Sequence, residues 1–399
     1  MGIKMLTGHN IIYFGDRWDG LLRNRHQLMS IFARQNQVLF VERRSSFQQT
    51  LNHFRRGDLG LSDLWRPSVR TISENLFVFR YPAWAPASER FLLKQLTRTV
   101  MRYSLKNSLR KLGMSQPIVW FYHPGWVDLI NEIPSACLLL YHVGDEYTSY
   151  QGDSPSRRRQ IKEREKKLMT QVDAVIVVSK KLYEAKRPFN ANTYLVPNGV
   201  NYQTYSDALA NPNLPEDLQV IKPPRLGYSG LIGDKLDFDM LKNLAQKNYE
   251  WSLVFLGPAR VSKKAETWQA LRALPNVHHL GPVEWSQVPH YVKGFDVGLM
   301  PYLQDQHSAT ISPLKLYDYL AAGLPIAAID IPAAREFNSY IHLADGSENF
   351  SQAVQAALAD TTPEGRRIRR KVAAQHTWEI RAERLSQLIE DHLASRVSI

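Results

Sequence analysis

Short apolar runs alternate with amphipathic stretches along this chain, and the alternation sets its fold class. Asn10 to Gly15 (NIIYFG) is apolar, β-branched and aromatic, and ends in glycine, as a buried strand does. Arg23 to Arg34 carries Leu28, Ile31 and Phe32 at helical spacing, and Val38 to Glu42 (VLFVE) is the next strand. Strand, helix and strand make a βαβ unit. Further strands are expected at Leu76–Tyr81, Ile118–Tyr122, Cys137–His142, Ala174–Ser179 and Tyr194–Val196. Helices are expected at Pro86–Leu112 and Ser156–Val172, and Phe47–Arg70 is polar, basic and irregular.

The alternation restarts in the second half. Strands are expected at Arg225–Ser229, Trp251–Leu256, Val277–Leu280, Val297–Met300 and Pro325–Ile329. Helices at Asp239–Lys247, Lys263–Leu274, Ser286–Gly294 and Pro313–Ala322 separate them, and Thr377–Ala394 closes the chain. Repeated βα units imply doubly wound, mostly parallel sheets. A chain of 399 residues exceeds one ordinary domain, and its 44% apolar content suffices for two cores. The expectation is an α/β protein of two Rossmann-like domains facing a cleft. Their bounds are set at 1–205 and 206–376, with a terminal helix at 377–399. Asn211–Pro224, rich in Pro, Asn and Asp, reads as the linker, with a boundary nearer Gly199 as the alternative.

Composition narrows the function. A single cysteine, Cys137, rules out a disulfide framework or a cysteine metal cluster and fits a reducing compartment. Neither a signal peptide at Met1–Asn10 nor an apolar run of membrane-spanning length is evident. The net charge is +12, unevenly placed. Up to Gly199, 30 Lys and Arg face 16 Asp and Glu; from Val200 onward the counts are 20 and 22. The basic half points to an anionic partner, with a merely solvated basic surface as the plainer explanation. In Pro86–Leu112, Arg90, Lys94, Arg98, Arg102, Lys106 and Arg110 recur every fourth residue beside Leu92, Leu96, Val100, Leu105, Leu109 and Leu112. Such a helix either lies on anionic lipid or packs on the core with a solvated basic face. Nucleic acid is not expected, since no aromatics interleave with the basic stripe.

Ligands of parallel sheets bind past the carboxyl ends of the strands. There the second half offers Ser229–Lys235 (SGLIGDK), Gly257-Pro258 and Gly281-Pro282-Val283. The glycines admit close backbone approach to a phosphate or a base. The segment Ser308–Gly323 (SATISPLKLYDYLAAG) adds a helix start at Ser312-Pro313, with Pro313 as the first helical residue. Lys315 in the first turn opposes the helix dipole, and a bound phosphate would resolve that misfit. Asp318, one turn on, is suited to accept two ribose hydroxyls. A solvated Lys–Asp pair is the plainer reading of the same spacing.

SPLKLYDYLAAGLPIAA resembles the donor helix of GT-B glycosyltransferases of the family-4 type. There two glutamates are separated by seven intervening residues. Asp318 falls on the second and Thr310 on the first, so no carboxylate stands at position 310. DAVIVVSKKL, YLVPNGVN, YSGLIGDKLDFDML, NVHHLGPVEWSQVPHYVKGFDVGLMPY and HTWEIRAERLSQLI resemble further segments of that family. WDGLLRNRHQL and LLLYHVGDEYTSY are similar to bacterial surface-polysaccharide transferases, including teichuronic-acid and xanthan-type glucuronosyltransferases. The resemblance implies the GT-B fold, with the last helix crossing back to the first domain, and an EC 2.4 hexosyl transfer from a nucleotide sugar. Together with the strand-end reading, the candidate donor contacts are Gly230, Lys235, Gly257, Gly281, Val283, Thr310, Pro313, Leu314, Lys315 and Asp318, and the resemblance implies Lys315 on the phosphates. It also implies a saccharide acceptor, lipid-linked, met at the inner face of the cell membrane by a cytoplasmic, peripheral protein.

Inverting transfer to an alcohol requires a general base; retaining transfer does not. Asp145, after the strand CLLLYH, is the first candidate, Glu146 the second and Asp16 the third. Asp145 as a loop or capping carboxylate is the structural alternative. No metal or other cofactor is expected; His123 and His142 read as structural. A GT-B-fold nucleotide-sugar epimerase and a non-catalytic nucleotide-sugar binder are the competing functions.

Overall fold

The computed structural model describes residues 5–19, 24–43, 67–82, 91–133, 135–149 and 154–397. The chain forms two compact units. One comprises Met1–Val196 with Arg381–Ile399, and the other Pro197–Ile380.

The first unit is built on an eight-stranded sheet. Its strands are β1 (Asn10–Phe14), β2 (Gln37–Val41), β3 (Ser68–Ser73), β4 (Leu76–Arg80), β5 (Ile118–Phe121), β6 (Leu138–Val143), β7 (Ala174–Val177) and β8 (Thr193–Leu195). The order is β3-β4-β2-β1-β5-β6-β7-β8, parallel except for edge strand β3. β1, β5 and β7 are apolar nearly throughout because a parallel sheet covered on both faces has no wet side. The topological switch point lies between β1 and β5.

The second unit holds β9 (Arg225–Ser229), β11 (Ser252–Leu256), β13 (Val277–Gly281), β14 (Val297–Met300), β15 (Ile326–Ile329) and β16 (His342–Ala344). Its order, β13-β11-β9-β14-β15-β16, is that of a Rossmann sheet, wholly parallel. β10 (Ile232–Gly233) and β12 (Ala259–Arg260) pair separately above the carboxyl ends of β9 and β11. Helices Phe238–Lys247 and Pro363–Ala373 start on side-chain caps from Asp237 and Thr362. The switch point lies between β9 and β14.

Sequence and structure differ in instructive places. The segment Asn211–Pro224 is part of the second unit's core, where Leu218 and Ile221 are buried. The units divide at Val196/Pro197 and Ile380/Arg381, not at 205/206 and 376/377. The expected helix Ser286–Gly294 is a 3-10 turn, Trp285–Gln287, followed by a short helix, Val288–Val292, because Pro289 supplies no backbone N–H. The helix expected at Pro86–Leu112 is observed at Phe91–Lys111. Arg90 and the side chains of Leu92, Lys94 and Leu96 lie outside the described residues. From Arg98 onward, Met101, Ser104, Leu105, Ser108 and Leu109 are buried, while Arg102, Lys106 and Arg110 are exposed. The apolar side faces the protein interior, so the helix does not offer lipid a hydrophobic face over this stretch.

Tyr319 ties the helix Leu314–Ala322 to β9. Its fully buried hydroxyl accepts the Ser229 N–H (2.9 Å) and donates to Gly227 O (3.3 Å). Replacing Tyr319 by Phe orphans the Ser229 N–H and is expected to lower stability by about 1–3 kcal/mol. Denaturant unfolding checks this; an unchanged midpoint would show the hydroxyl to be dispensable.

Candidate functional site

The switch point of the second sheet gathers the residues nominated by the sequence. Gly230 and Gly257 follow β9 and β11, and Gly281 ends β13. Gly257 N–H donates to Gly281 O (2.7 Å) and Gly230 N–H to Leu256 O (2.8 Å). Gly257 has φ +131°, and a Cβ there would meet Gly230 O at 2.3 Å. Only glycine permits this approach of two backbones. The loops after β9 and β11 thus form one surface at strand-end level. Val283, beyond Gly281, is half-buried against the core.

The helix beneath this surface begins differently from the expectation. It spans Leu314–Ala322, and Pro313 is its N-cap with ψ 119°, so Pro313 is outside the first turn. The Ser312 hydroxyl does not cap it. It accepts the Asn198 N–H (3.3 Å), while Asn198 Nδ2 donates to Ser312 O (2.7 Å). The helix therefore opens with no side-chain cap and no acidic residue in its first turn. Its N–H groups and dipole are directed at an unneutralised end, an arrangement suited to an anion.

Lys315 occupies that first turn and is 8% exposed. Its Nζ lies 4.7 Å from the Tyr228 ring centroid and donates to Tyr302 Oη (3.0 Å). A Cβ on Gly230 would stand 3.5 Å from the same Nζ. Burial lowers the Lys315 ammonium from its ordinary value to about 8, opposed by the charge of Asp318. Lys235 places its Nζ 5.8 Å from the Tyr302 ring centroid. Two cations thus flank one tyrosine at the end of β14. Tyr228 also fixes the glycine loop, its hydroxyl donating to Leu231 O (3.0 Å).

Asp318 lies one turn beyond Lys315 and is half-buried. Burial raises its carboxyl to about 7, against the influence of the Tyr205 hydroxyl and the Lys315 charge, both of which favour ionisation. Leu314 is half-buried. Thr310 sits in the loop before the helix, its hydroxyl donating to His307 O (2.9 Å). Lys235, Lys315 and the three glycines therefore meet at the switch point, with Asp318 one helical turn away. Tyr228, Tyr302, Tyr205 and Asn198 were not nominated. Their aromatic or cap-like positions read as ordinary core and turn residues in the sequence.

The base candidates of the first unit are distinguished by their contacts. Glu146 accepts from Lys186 Nζ (2.8 Å) and from the Thr148 hydroxyl (2.6 Å). Burial raises its carboxyl, but these donors outweigh burial and hold it below the ordinary value. Lys186 Nζ also reaches Glu165 (2.8 Å), which accepts from Tyr141 Oη (3.0 Å). Glu146 is an anchor of its loop, and a carboxylate held this way is a poor proton acceptor. Asp145 follows β6, adjacent to the switch strand β5, and Asp16 pairs with Arg25 (2.9 Å). His142 is buried and His123 largely so; burial lowers both to about 4, with Arg43 adding to the effect at His123, so each is neutral near pH 7.

Residues 235–360 match the family described as Glycosyl transferases group 1. Over 276 residues the chain is 29% identical to TuaH of Bacillus subtilis (strain 168), which carries the name of a teichuronic acid biosynthesis glycosyltransferase. The match covers 65% of this chain and 68% of TuaH. Among solved structures, sucrose-phosphate synthase from Thermosynechococcus elongatus superposes with TM-score 0.70 at 19% identity, over 97% of this chain and 100% of that one. HepE from Anabaena in complex with UDP superposes with TM-score 0.64 at 14% identity, over 96% and 100%. These neighbours share the GT-B fold.

Two expectations follow from the contacts. Lys186→Met leaves two buried carboxylates without their shared cation and should cost about 3–5 kcal/mol in urea unfolding. A loss under 1 kcal/mol would mean that the network is not a stabilising element. Gly257→Ala forces the Gly230 backbone aside and should weaken nucleoside-diphosphate binding in isothermal titration; unaltered affinity would remove the glycine surface from the site.

Proposed function

We infer that this chain, a glycosyltransferase with the GT-B fold and a group 1 domain, takes its sugar from a nucleoside-diphosphate donor and builds a surface polysaccharide. The observation that carries the reading is the buried Lys315 ammonium at the start of an uncapped helix, at the switch point. In this reading Lys315, Lys235 and the first-turn N–H groups bind the diphosphate. Their positive charge stabilises the leaving group as the glycosidic bond breaks. Asp318 accepts ribose hydroxyls, and the backbone at Gly281–Val283 flanks the base. Thr310, Pro313 and Leu314 shape the sugar end of the donor.

The acceptor is a saccharide hydroxyl, and we assign it a lipid-linked carrier. Asp145 is the base for an inverting reaction, taking the hydroxyl proton as the oxygen attacks the anomeric carbon. Glu146 fixes the loop that presents it. The support for a membrane-held acceptor is charge. Arg157, Arg158, Arg159, Lys162, Lys166 and Lys167 are exposed on the helix Pro155–Met169, against one exposed acid, Glu163. Each basic group near an anionic leaflet contributes about 1 kcal/mol. Among the described residues no helix is long and apolar enough to cross a membrane, so the proposed association is peripheral and electrostatic, at the cytoplasmic face.

Thermal-shift screening against UDP, GDP, TDP and ADP tests the donor reading, because a bound nucleotide stabilises by mass action. No shift with any of them would overturn it. The signs of the two shifted groups predict a bell-shaped affinity for the preferred nucleotide. Lys315 must be protonated to pair with phosphate, so affinity falls as pH rises through about 8. Asp318 must be ionised to accept hydroxyls, so affinity falls as pH drops below about 7. A flat profile from pH 6 to 9 would contradict both roles. For the base, Asp145→Asn should lower kcat by about 100-fold or more with donor affinity retained. A larger kcat loss in Glu146→Gln at equal stability would reverse the assignment.

A further inference from the structure

The residue before Lys235 is an acid, on a loop read as part of a diphosphate site. Asp234 is half-buried, and its carboxylate is engaged by the segment that follows β12. Its Oδ1 accepts the Ser262 N–H (3.0 Å) and the Lys263 N–H (3.1 Å), and its Oδ2 accepts the Ser262 hydroxyl. Burial raises the carboxyl, but these donors outweigh burial and hold it below its ordinary value. We propose that Asp234 is a positioning residue for the diphosphate: it clamps the loop after β10 to Ser262 and Lys263, and so sets where Lys235 meets the phosphates. The proposal rests on the reading that Lys235 binds the diphosphate.

The chain around Lys235 is tied to two neighbouring segments. Before it, β10 pairs with β12, and Ile232 N–H donates to Pro258 O (3.0 Å). At and after it, Leu303 N–H donates to Lys235 O (3.0 Å), Asp237 N–H donates to Pro301 O (2.9 Å), and Leu236 forms an antiparallel bridge with Tyr302. The second set of ties holds the loop to the segment that carries Tyr302, whose ring centroid lies 5.8 Å from Lys235 Nζ. All of these ties are main chain to main chain. Asp234 adds a side-chain tie on the residue adjacent to Lys235, which a substitution can remove. Asp239 also pairs with Lys264 (2.8 Å), but both are exposed and such a pair is worth little.

Charge and geometry predict opposite effects of removing Asp234. A carboxylate near a bound diphosphate repels it, so charge alone gives no reason for an acid at this position. Its hydrogen bonds do give one. A carboxylate offers about four lone-pair directions, and bonds to an ionised acceptor are the strong ones. Ser262 and Lys263 lead into the helix Ala265–Arg272, whose N-cap, Lys264, makes no side-chain capping bond. The carboxylate therefore also meets the positive end of that helix. Its charge is absorbed there, and the diphosphate site keeps the placement of Lys235. A lysine is a point charge on a flexible stem, so fixing its backbone reduces the freedom lost when it engages phosphate. The plainer role for Asp234 is to stabilise the start of the helix Ala265–Arg272 alone.

The test compares the unaltered chain with D234A, D234N, K235A and D234A/K235A. It measures affinity for the tightest-binding nucleotide among UDP, GDP, TDP and ADP, for its nucleoside, and for inorganic pyrophosphate. D234A should weaken the nucleotide and pyrophosphate about 10-fold and leave the nucleoside unchanged. In D234N the amide oxygen accepts the two N–H groups and the NH2 donates to Ser262 Oγ, so the clamp persists without the charge. Its affinities should stay within about threefold of the unaltered chain. K235A should weaken the same two ligands, and D234A should add nothing further in that background. Tighter pyrophosphate binding by D234A would show that its charge, not its clamp, acts on the site, and would overturn the proposal. So would a D234N as weak as D234A, or a D234A loss undiminished in K235A. If K235A weakens the diphosphate and D234A does not, Lys235 keeps its role and Asp234 only stabilises the helix. If K235A leaves diphosphate affinity intact, the phosphate reading of Lys235 fails and the proposal with it. Should D234A fold poorly, S262A removes one bond of the clamp and must lower the ratio of diphosphate to nucleoside affinity; an unchanged ratio overturns the proposal.

Discussion

A lysine ammonium buried in the first turn of a helix is doubly disfavoured: water is excluded from it, and the helix dipole repels it. The structure accepts both costs at Lys315 and offsets them only in part, with a tyrosine face, one phenol oxygen and a carboxylate a turn away. The rest of the second unit is arranged around that charge. Tyr228 lends it a π face and holds the glycine loop; Tyr302 accepts its hydrogen bond and lies beside Lys235; Ser312 is occupied by Asn198, so the helix end stays uncapped. Each arrangement would be wasteful if the site were never to meet a diphosphate, and each becomes favourable once one arrives.

Burial makes the same lysine sensitive to what it binds. An ammonium whose value has dropped to about 8 is only weakly committed to its proton in the free protein. A diphosphate bound beside it, as proposed, would restore that commitment, and part of the binding free energy would appear as proton uptake. Asp318, raised to about 7, would work in the opposite sense if it receives the ribose as proposed. On the proposed reading, a nucleotide would meet two groups whose free-protein charges are unsettled, within one helical turn of each other.

Much of this was legible in the sequence, for identifiable reasons. Parallel strands buried on both faces show as continuous apolar runs, so β1, β5, β7, β9 and β11 were found to within a residue or two. Lys315 was conspicuous because it breaks a local rule, and broken local rules concentrate at functional sites. What was not legible lacked any periodic or compositional mark. β16 is three residues, His342–Ala344, on a sheet edge. Tyr205 and Tyr302 look like core aromatics, since nothing in a one-dimensional pattern says where a buried hydroxyl points. The linker was misplaced because Pro and Asn also punctuate chain that packs: Leu218 and Ile221 bury themselves between turn residues.

The first unit shows why neighbouring carboxylates cannot be ranked from sequence. Asp145 and Glu146 are adjacent at the end of the same strand, and either satisfies the positional rule for a ligand-facing acid. The difference arises from Lys186, forty residues on, whose ammonium lies between Glu146 and Glu165 with Tyr141 beneath. A base must hold its proton affinity near the working pH, and a carboxylate bound to a lysine and a threonine hydroxyl has given it up. The longer side chain reaches the ion network. On the proposed reading Glu146 serves its neighbour: a loop anchored by a buried ion pair would hold Asp145 in place, as proton transfer to a single carboxylate requires.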